Sequence, residues 1–242
     1  HDVLIHDTKI KSKLSVLLKC DINFICVPTP SKKDGSNDYS IVRKVIKQLI
    51  LDHKYQGIIA IRSTVEPGFT EMMIDKYKNS KICFVPEFLR ERKSKEDFIK
   101  NHNLLAIGSV NNSSKKLVKK AHGHLPKNIV FMTPTEAELL KYFNNVFASL
   151  RITFSNVFFE ITKKFNSNYT KIKNAYIKTG KATDMYMDVN KKLRGYGGVC
   201  LPKDTLALVK LMKKLKLNYE IIKAIDADNR KFKTTVYKGM RK

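Results

Sequence analysis

Over its first half the chain alternates between two hydrophobic periods. Short apolar runs at Val3–His6, Ile22–Val27, Gly57–Ile61, Lys81–Phe84, Leu104–Ile107 and Ile129–Phe131 read as strands. Helical stretches lie between them. In residues 38–51, for example, Ile41, Val45, Ile46 and Leu49 share one face. Apolar strands alternating with amphipathic helices predict an α/β fold built on a parallel sheet.

The pattern changes at residue 133. In Thr133-Pro134-Thr135-Glu136, Thr133 suits a helix cap, Pro134 suits the first helical position, and Glu136 completes a capping box. No Gly or Pro follows until Gly180. The stripe Leu140, Phe143, Val146/Phe147, Leu150, Phe154, Val157/Phe158, Ile161 has helical spacing. It predicts one helix of about 30 residues, about 45 Å long, acting as a spine between two domains or two subunits. Residues 168–242 read as helices interrupted by a glycine-rich loop at Gly195–Gly198. The expected division is therefore 1–132, an α/β domain, and 133–242, an all-α domain.

Charge and composition narrow the classes. With 47 Lys+Arg against 22 Asp+Glu, the formal charge is +25. The lysines are spread over every segment and form no basic stripe interleaved with aromatics. A solvated, Lys-rich surface that attracts anionic nucleotides is therefore expected, rather than a nucleic-acid partner. No apolar run approaches the roughly 18 residues of a membrane span, and the first residues carry no secretory pattern. Cys20, Cys26 and Cys83 sit among apolar neighbours and are expected to be inert buried thiols. The cysteines show no metal-ligand spacing, so no metal is expected, and a reduced, cytoplasmic setting fits them.

Candidate chemistry falls at strand ends and in the glycine loop. Asp7 follows the first apolar run, where a carboxylate can hold a ribose diol in a Rossmann-like fold. Val27-Pro28-Thr29-Pro30 and Ser63-Thr64-Val65-Glu66-Pro67-Gly68 follow the next two strands, at the edge where open α/β sheets bind ligands. Glu87 and Glu91, four residues apart after the strand at Lys81, are candidates for handling a proton or a water. On the long helix Lys141 and Asn145 lie one turn apart, an ammonium and an amide suited to an oxyanion. In Tyr196-Gly197-Gly198-Val199-Cys200-Leu201-Pro202-Lys203-Asp204, Pro202 opens a helix and sets Cys200 near its N-terminus, with Lys203 nearby. That environment favours the thiolate, and Asp204 stands one turn further on. Taken singly, each group also has a plain reading as a turn, a cap or a solvated side chain.

Together the segments resemble the UDP-glucose/GDP-mannose dehydrogenase family. The matching motifs are Val27–Pro30, Ser63–Gly68, Pro86-Glu87-Phe88-Leu89-Arg90-Glu91, Glu138-Leu139-Leu140-Lys141-Tyr142-Phe143-Asn144-Asn145 and Gly197–Asp204, in family order across nearly the whole chain. The resemblance implies NAD-dependent oxidation of a nucleotide sugar at C6, with UDP-glucose the commonest choice. Cys200 would form a thiohemiacetal and then a thioester. Lys141 and Asn145 would stabilise the oxyanion, Asp204 would move protons around the thiol, and Thr64 and Glu87 would position water or act as base. Asp7, Val27, Pro28, Thr29, Thr64, Glu91 and Lys203 would contact NAD. Glu87, Phe88, Leu89, Arg90, Lys141, Tyr196 and Gly197 would contact the sugar nucleotide. The spine helix resembles the family's dimer helix, which implies a homodimer. Departures also stand out. The strand and glycine turn that open the family's NAD domain are not in this sequence, nor is its C-terminal nucleotide-binding domain. The loop Asp188–Tyr196 is short, and Arg194 stands where an aromatic is common. The chain alone is therefore expected to bind NAD poorly, and a catalytically incomplete association module is the alternative reading.

Overall fold

The structure, a computed structural model, describes residues 2–90 and 93–232. Two compact units divide the chain: His1–Pro30 with Asn37–Lys141, and Ser31–Ser36 with Tyr142–Lys242. Their boundary falls inside the long helix rather than before it.

The first unit holds a five-stranded sheet whose spatial order follows the chain: β1 (Ile22–Ile25), β2 (Ile58–Ile61), β3 (Ile82–Phe84), β4 (Leu104–Gly108) and β5 (Asn128–Met132). The helices are α1 (Ser40–Lys47), continued by a π turn at Gln48–Asp52, α2 (Phe69–Tyr77), α3 (Ser94–Ile99) and α4 (Asn112–His122). All four residues of β2 are buried, the continuous apolar run of a strand covered on both faces. Ile59 and Ile61 face one core with Val42 and Ile46 of α1, Leu49 of the π turn and Met73 of α2. Ile58 and Ala60 face another, with Cys83, Leu105, Ile107 and Val118 of α4. The α1 face differs slightly from the expected one, because Val42 is buried while Ile41 is 41% exposed.

Two expectations need correction. The sheet is not wholly parallel: β3 and β4 run antiparallel, with Phe84 opposite Gly108, while the other three pairings are parallel. Among the described residues the link from β3 to β4 carries the short α3. Val3–His6 is not a strand either. It pairs with no strand among the described residues, and Val3 and Ile5 are 77% and 69% exposed. A short apolar run makes a strand only where a neighbour completes its hydrogen bonds.

Helix α5 (Pro134–Lys164) runs for 31 residues. Its capping box forms as the sequence requires. Glu136 Oε2 accepts from Thr133 N at 2.7 Å, and Thr133 Oγ1 accepts from Glu136 N at 3.2 Å. Gly108 ends β4 against this first turn; a β-carbon there would lie 2.6 Å from that of Ala137. The second unit continues α5 and adds α6 (Tyr169–Ile177), α7 (Cys200–Lys214) and α8 (Ile221–Lys231). Val146, Tyr196 and Ile225 form its small core, with Leu150 and Leu201 packed around them. On α5 the small and polar stripe is the buried one, including Lys141, Asn145, Ser149 and Asn156. The large apolar stripe points outward, with Phe143 69%, Phe147 49%, Phe154 56% and Ile161 43% exposed.

Candidate active site

In the first unit, the ends of β1, β2 and β3 lie at one edge because those strands are parallel neighbours. Val27-Pro28-Thr29-Pro30 leaves β1, and Ser63–Gly68 leaves β2. Ser63 ties the two loops together: its hydroxyl donates to Val27 O at 2.7 Å and reaches Ile25 O at 3.3 Å. Thr29 is buried, while Pro28 is exposed and Val27 and Thr64 are half-buried. The prolines supply carbonyls without competing amides. Asp7 does not suit the ribose in its present setting. It ends no strand, and its carboxylate accepts from Lys9 N at 2.8 Å, a local turn.

Helix α5 holds the loop after β2 and the segment after β3. Glu138, fully buried, accepts from Gly68 N at 2.6 Å, from Thr70 N at 2.8 Å and from the Thr70 hydroxyl at 2.6 Å. It thereby caps α2 from outside. Burial pushes its carboxyl up to about 7, with Glu71 adding to the rise and the Thr70 and Gly68 donors opposing it. One turn on, Lys141 Nζ donates to Glu87 O at 2.5 Å and to Glu87 Oε1 at 3.0 Å, and lies 5.7 Å from the Phe88 ring centre. Lys141 is 4% exposed, so this ammonium is held at a fixed point rather than solvated.

The segment after β3 is irregular through Arg90, so Glu87 stands on a loop rather than a helix. Its carboxylate instead accepts from Leu89 N at 2.7 Å. Glu91 lies outside the described residues. Arg90, expected to meet substrate, clamps Asp97 of α3 through Nε at 2.9 Å and Nη2 at 2.6 Å. The Arg90 guanidinium holds that carboxyl down at about 2. Cys26 also departs from expectation. It reaches the surface at the end of β1, although surrounding protein still raises its thiol against the pull of Arg62. Cys83 is buried, and desolvation pushes it up to about 12. Cys20 is half-buried.

In the second unit, Cys200 is the first residue of α7 and is exposed. Pro202 is the third residue, so the helix opens slightly earlier than the proline alone implies. At this position the thiol meets the positive end of the helix dipole. Asp204, one turn on, is fully buried. Asn145 Nδ2 donates to its Oδ2 at 2.5 Å, and Lys203 Nζ to its Oδ1 at 2.5 Å. The Lys203 side chain is only 10% exposed, so its ammonium is engaged here rather than displayed for a cofactor phosphate. Tyr196 departs from the substrate-contact expectation: its ring is core, 2% exposed, and burial pushes the phenol up to about 12. Gly197 is half-buried between this core and the helix start. Glu138, Asn156 and Asn229 escaped the sequence reading; the last two hold the Gly195–Tyr196 backbone. No local signal marks the role of Glu138, because its partners stand 68 and 70 residues away.

Among the described residues no cluster of His, Cys, Asp or Glu is arranged to hold a metal. No helix among them is long and apolar enough to cross a membrane.

A sheet with loops at the ends of three parallel strands, joined to a helical unit that presents a cysteine at a helix start, is the architecture of a nucleotide-sugar dehydrogenase core. Residues 4–125 match the NAD binding domain of the UDP-glucose/GDP-mannose dehydrogenase family, and residues 135–231 match its central domain. The chain belongs to that family. It is 30% identical over 214 residues to UDP-glucose 6-dehydrogenase of Rickettsia bellii, covering 86% of this chain and 48% of the relative. The crystallised UDP-glucose dehydrogenase of Pyrobaculum islandicum superposes with a TM-score of 0.83 at 28% identity, over 92% of this chain and 53% of that one. A ternary complex of GDP-mannose dehydrogenase from Pseudomonas aeruginosa gives 0.63 at 26% identity, over 90% of this chain and 52% of that one. The chain thus spans about half the length of the relatives it matches.

Proposed function

We propose that the chain carries the chemical core of an NAD-dependent dehydrogenase that oxidises C6 of a nucleotide sugar to the carboxylate, with UDP-glucose as substrate and UDP-glucuronate as product. The observation that carries this reading is Cys200 at the start of α7, with Asp204 buried one turn beyond it. The Cys200 thiolate attacks the C6 aldehyde, forming a carbon–sulfur bond and an oxyanion that takes up a proton. Oxidation of this thiohemiacetal gives a thioester. Water then adds to the carbonyl, the sulfur leaves as thiolate, and the acid is released. Covalent capture keeps the aldehyde from escaping between the two oxidations.

Lys141 and Asn145 stabilise the oxyanion, each held in advance by a partner. Asp204 accepts and returns protons near the thiol. Glu87 and Thr64 position the water, and Phe88, Leu89 and Gly197 line the approach of the sugar nucleotide. NAD, when bound, supplies the hydride acceptor for each oxidation. Val27, Pro28, Thr29 and Thr64 would hold its nicotinamide end.

The outward apolar stripe of α5 supports a homodimer through that helix, since large exposed apolar patches mark interfaces. The same stripe also supports the second reading, a helical association module without turnover. Absorbance at 340 nm on adding UDP-glucose and NAD to the natural gene product separates the two. Steady NADH formation that disappears in Cys200→Ser is expected; unchanged turnover in that variant defeats the nucleophile assignment.

A further inference from the structure

The cysteine loop has no secondary structure to hold it, yet its backbone is not loose. At Gly195 and Tyr196 the main-chain groups bond to side chains of two helices. Asn229 of α8 faces Tyr196 with both ends of its carboxamide: Oδ1 accepts from Tyr196 N at 2.8 Å, and Nδ2 donates to Tyr196 O at 2.9 Å. The pair imitates one rung of a sheet ladder. Asn156 of α5 accepts through Oδ1 from Gly195 N at 3.1 Å and from Arg194 Nε at 2.7 Å, while its Nδ2 donates to Ile152 O at 2.9 Å. Both carboxamides are withdrawn from water, at 1% exposure for Asn156 and 7% for Asn229. Asparagine is a weak helix former. Here neither side chain caps its own helix, and both serve the loop.

The link from this clamp to the thiol is short. Only Gly197, Gly198 and Val199 separate Tyr196 from Cys200. Gly198 sits at φ +79° and Gly195 at φ +59°, so the segment is built from permissive residues. A glycine-rich link cannot fix its own end. The position of Cys200 on the first turn of α7 is therefore set by what holds the loop before it and the helix after it.

We propose that Asn229 and Asn156 are positioning residues for Cys200: by gripping Gly195 and Tyr196 they keep the thiol on the first turn of α7, at the positive end of its dipole. The proposal rests on Cys200 being the nucleophile, but its test requires neither NAD nor sugar.

Cys200 is exposed, so alkylation by iodoacetamide is limited by its thiolate fraction rather than by access. The rate at the Cys200 peptide, followed by mass spectrometry against pH, is measured in the natural protein and in Asn229→Ala and Asn229→Asp. Release of the loop removes the helix-terminus contribution, and the rate near pH 7 falls by about two- to fivefold. The profile moves to higher pH by the same factor. A folded variant with the wild-type rate and profile overturns the proposal, because a merely structural asparagine would lower the melting temperature without touching the thiol. Should neither variant fold, amide exchange in the wild-type protein decides. Gly195 and Tyr196 amides protected like those of α8 support the clamp, and exchange at the rate of an open coil refutes it. Turnover retained in Cys200→Ser would defeat the nucleophile reading separately, leaving the alkylation and exchange results to judge the clamp.

Discussion

Replacing Asp204 by Asn tests the buried end of the site most directly. Asp204 is fully buried and meets Lys203 Nζ at 2.5 Å, with the lysine side chain 10% exposed. Asn145 Nδ2 donates to the other carboxylate oxygen. Asp204→Asn keeps the shape but removes the charge, and it turns one amide NH2 toward a donor. Breaking one partner of a buried ion pair costs about 3–5 kcal/mol, against a typical domain stability of about 5–15 kcal/mol. A melting temperature lower by about 6–20 °C follows for a chain of this size. Removing both charges costs less. In Lys203→Met/Asp204→Leu the remaining penalty is the orphaned Asn145 amide, about 1–3 kcal/mol. Adding Asn145→Leu removes that penalty too and brings stability back to within about 1 kcal/mol of wild type, while turnover stays abolished. Urea melts of the four proteins check the order. A loss below about 1 kcal/mol for Asp204→Asn, or a triple variant no more stable than Asp204→Asn, refutes the reasoning.

Other outcomes follow from the same geometry. Burial raises the Glu138 carboxyl from 4.5 to about 7, so the folded state holds a proton that the unfolded state releases. Its contribution to stability is complete below pH 4.5 and is lost as pH rises through about 7, a change of up to about 3 kcal/mol. Glu138→Gln removes that slope, and denaturation at pH 5 and pH 8 for both proteins shows it; equal slopes count against the account. Gly108→Ala drives a β-carbon to 2.6 Å from Ala137. It is expected to destabilise the first unit by about 1–3 kcal/mol, measurable by thermal melting. Phe143→Glu with Phe154→Glu places charges on the outward stripe of α5. On the proposed homodimer, sedimentation velocity is expected to show a dimer for the wild type and a monomer for the variant, and a variant that stays dimeric rules that helix out as the interface.

The α/β class, the strands from Ile22 onward, the capping box and the long helix were legible because each rests on neighbours in sequence. Val3–His6 misled because a short apolar run reports composition and not the presence of a strand to pair with. The facing of α5 was not legible: spacing marks an apolar stripe but not what covers it, and burial went to Lys141, Asn145 and Ser149, whose partners lie on other elements. Cys200 and Asp204 were readable from glycines, a proline and helical spacing. The engagement of Arg90 with Asp97, of Lys203 with Asp204 and of Glu138 with Gly68 and Thr70 was not. Residue type fixes what a group can bond to, but only the fold decides which bond it makes.

The antiparallel step in the sheet has a consequence for how the first unit opens. β4 and β5 are joined by five registered pairs, from Leu104 with Asn128 to Gly108 with Met132, whereas β3 and β4 share one, Phe84 with Gly108. The sheet therefore has a seam. On one side β1 to β3 carry the strand-end loops; on the other β4, α4 and β5 form a βαβ flap that holds to Ile58, Ala60 and Cys83 mainly by side-chain packing. Partial unfolding runs along such weak lines. The flap is the piece expected to detach first in native-state exchange, as a cooperative block ahead of β2, so the seam separates a persistent ligand-facing half from one that breathes.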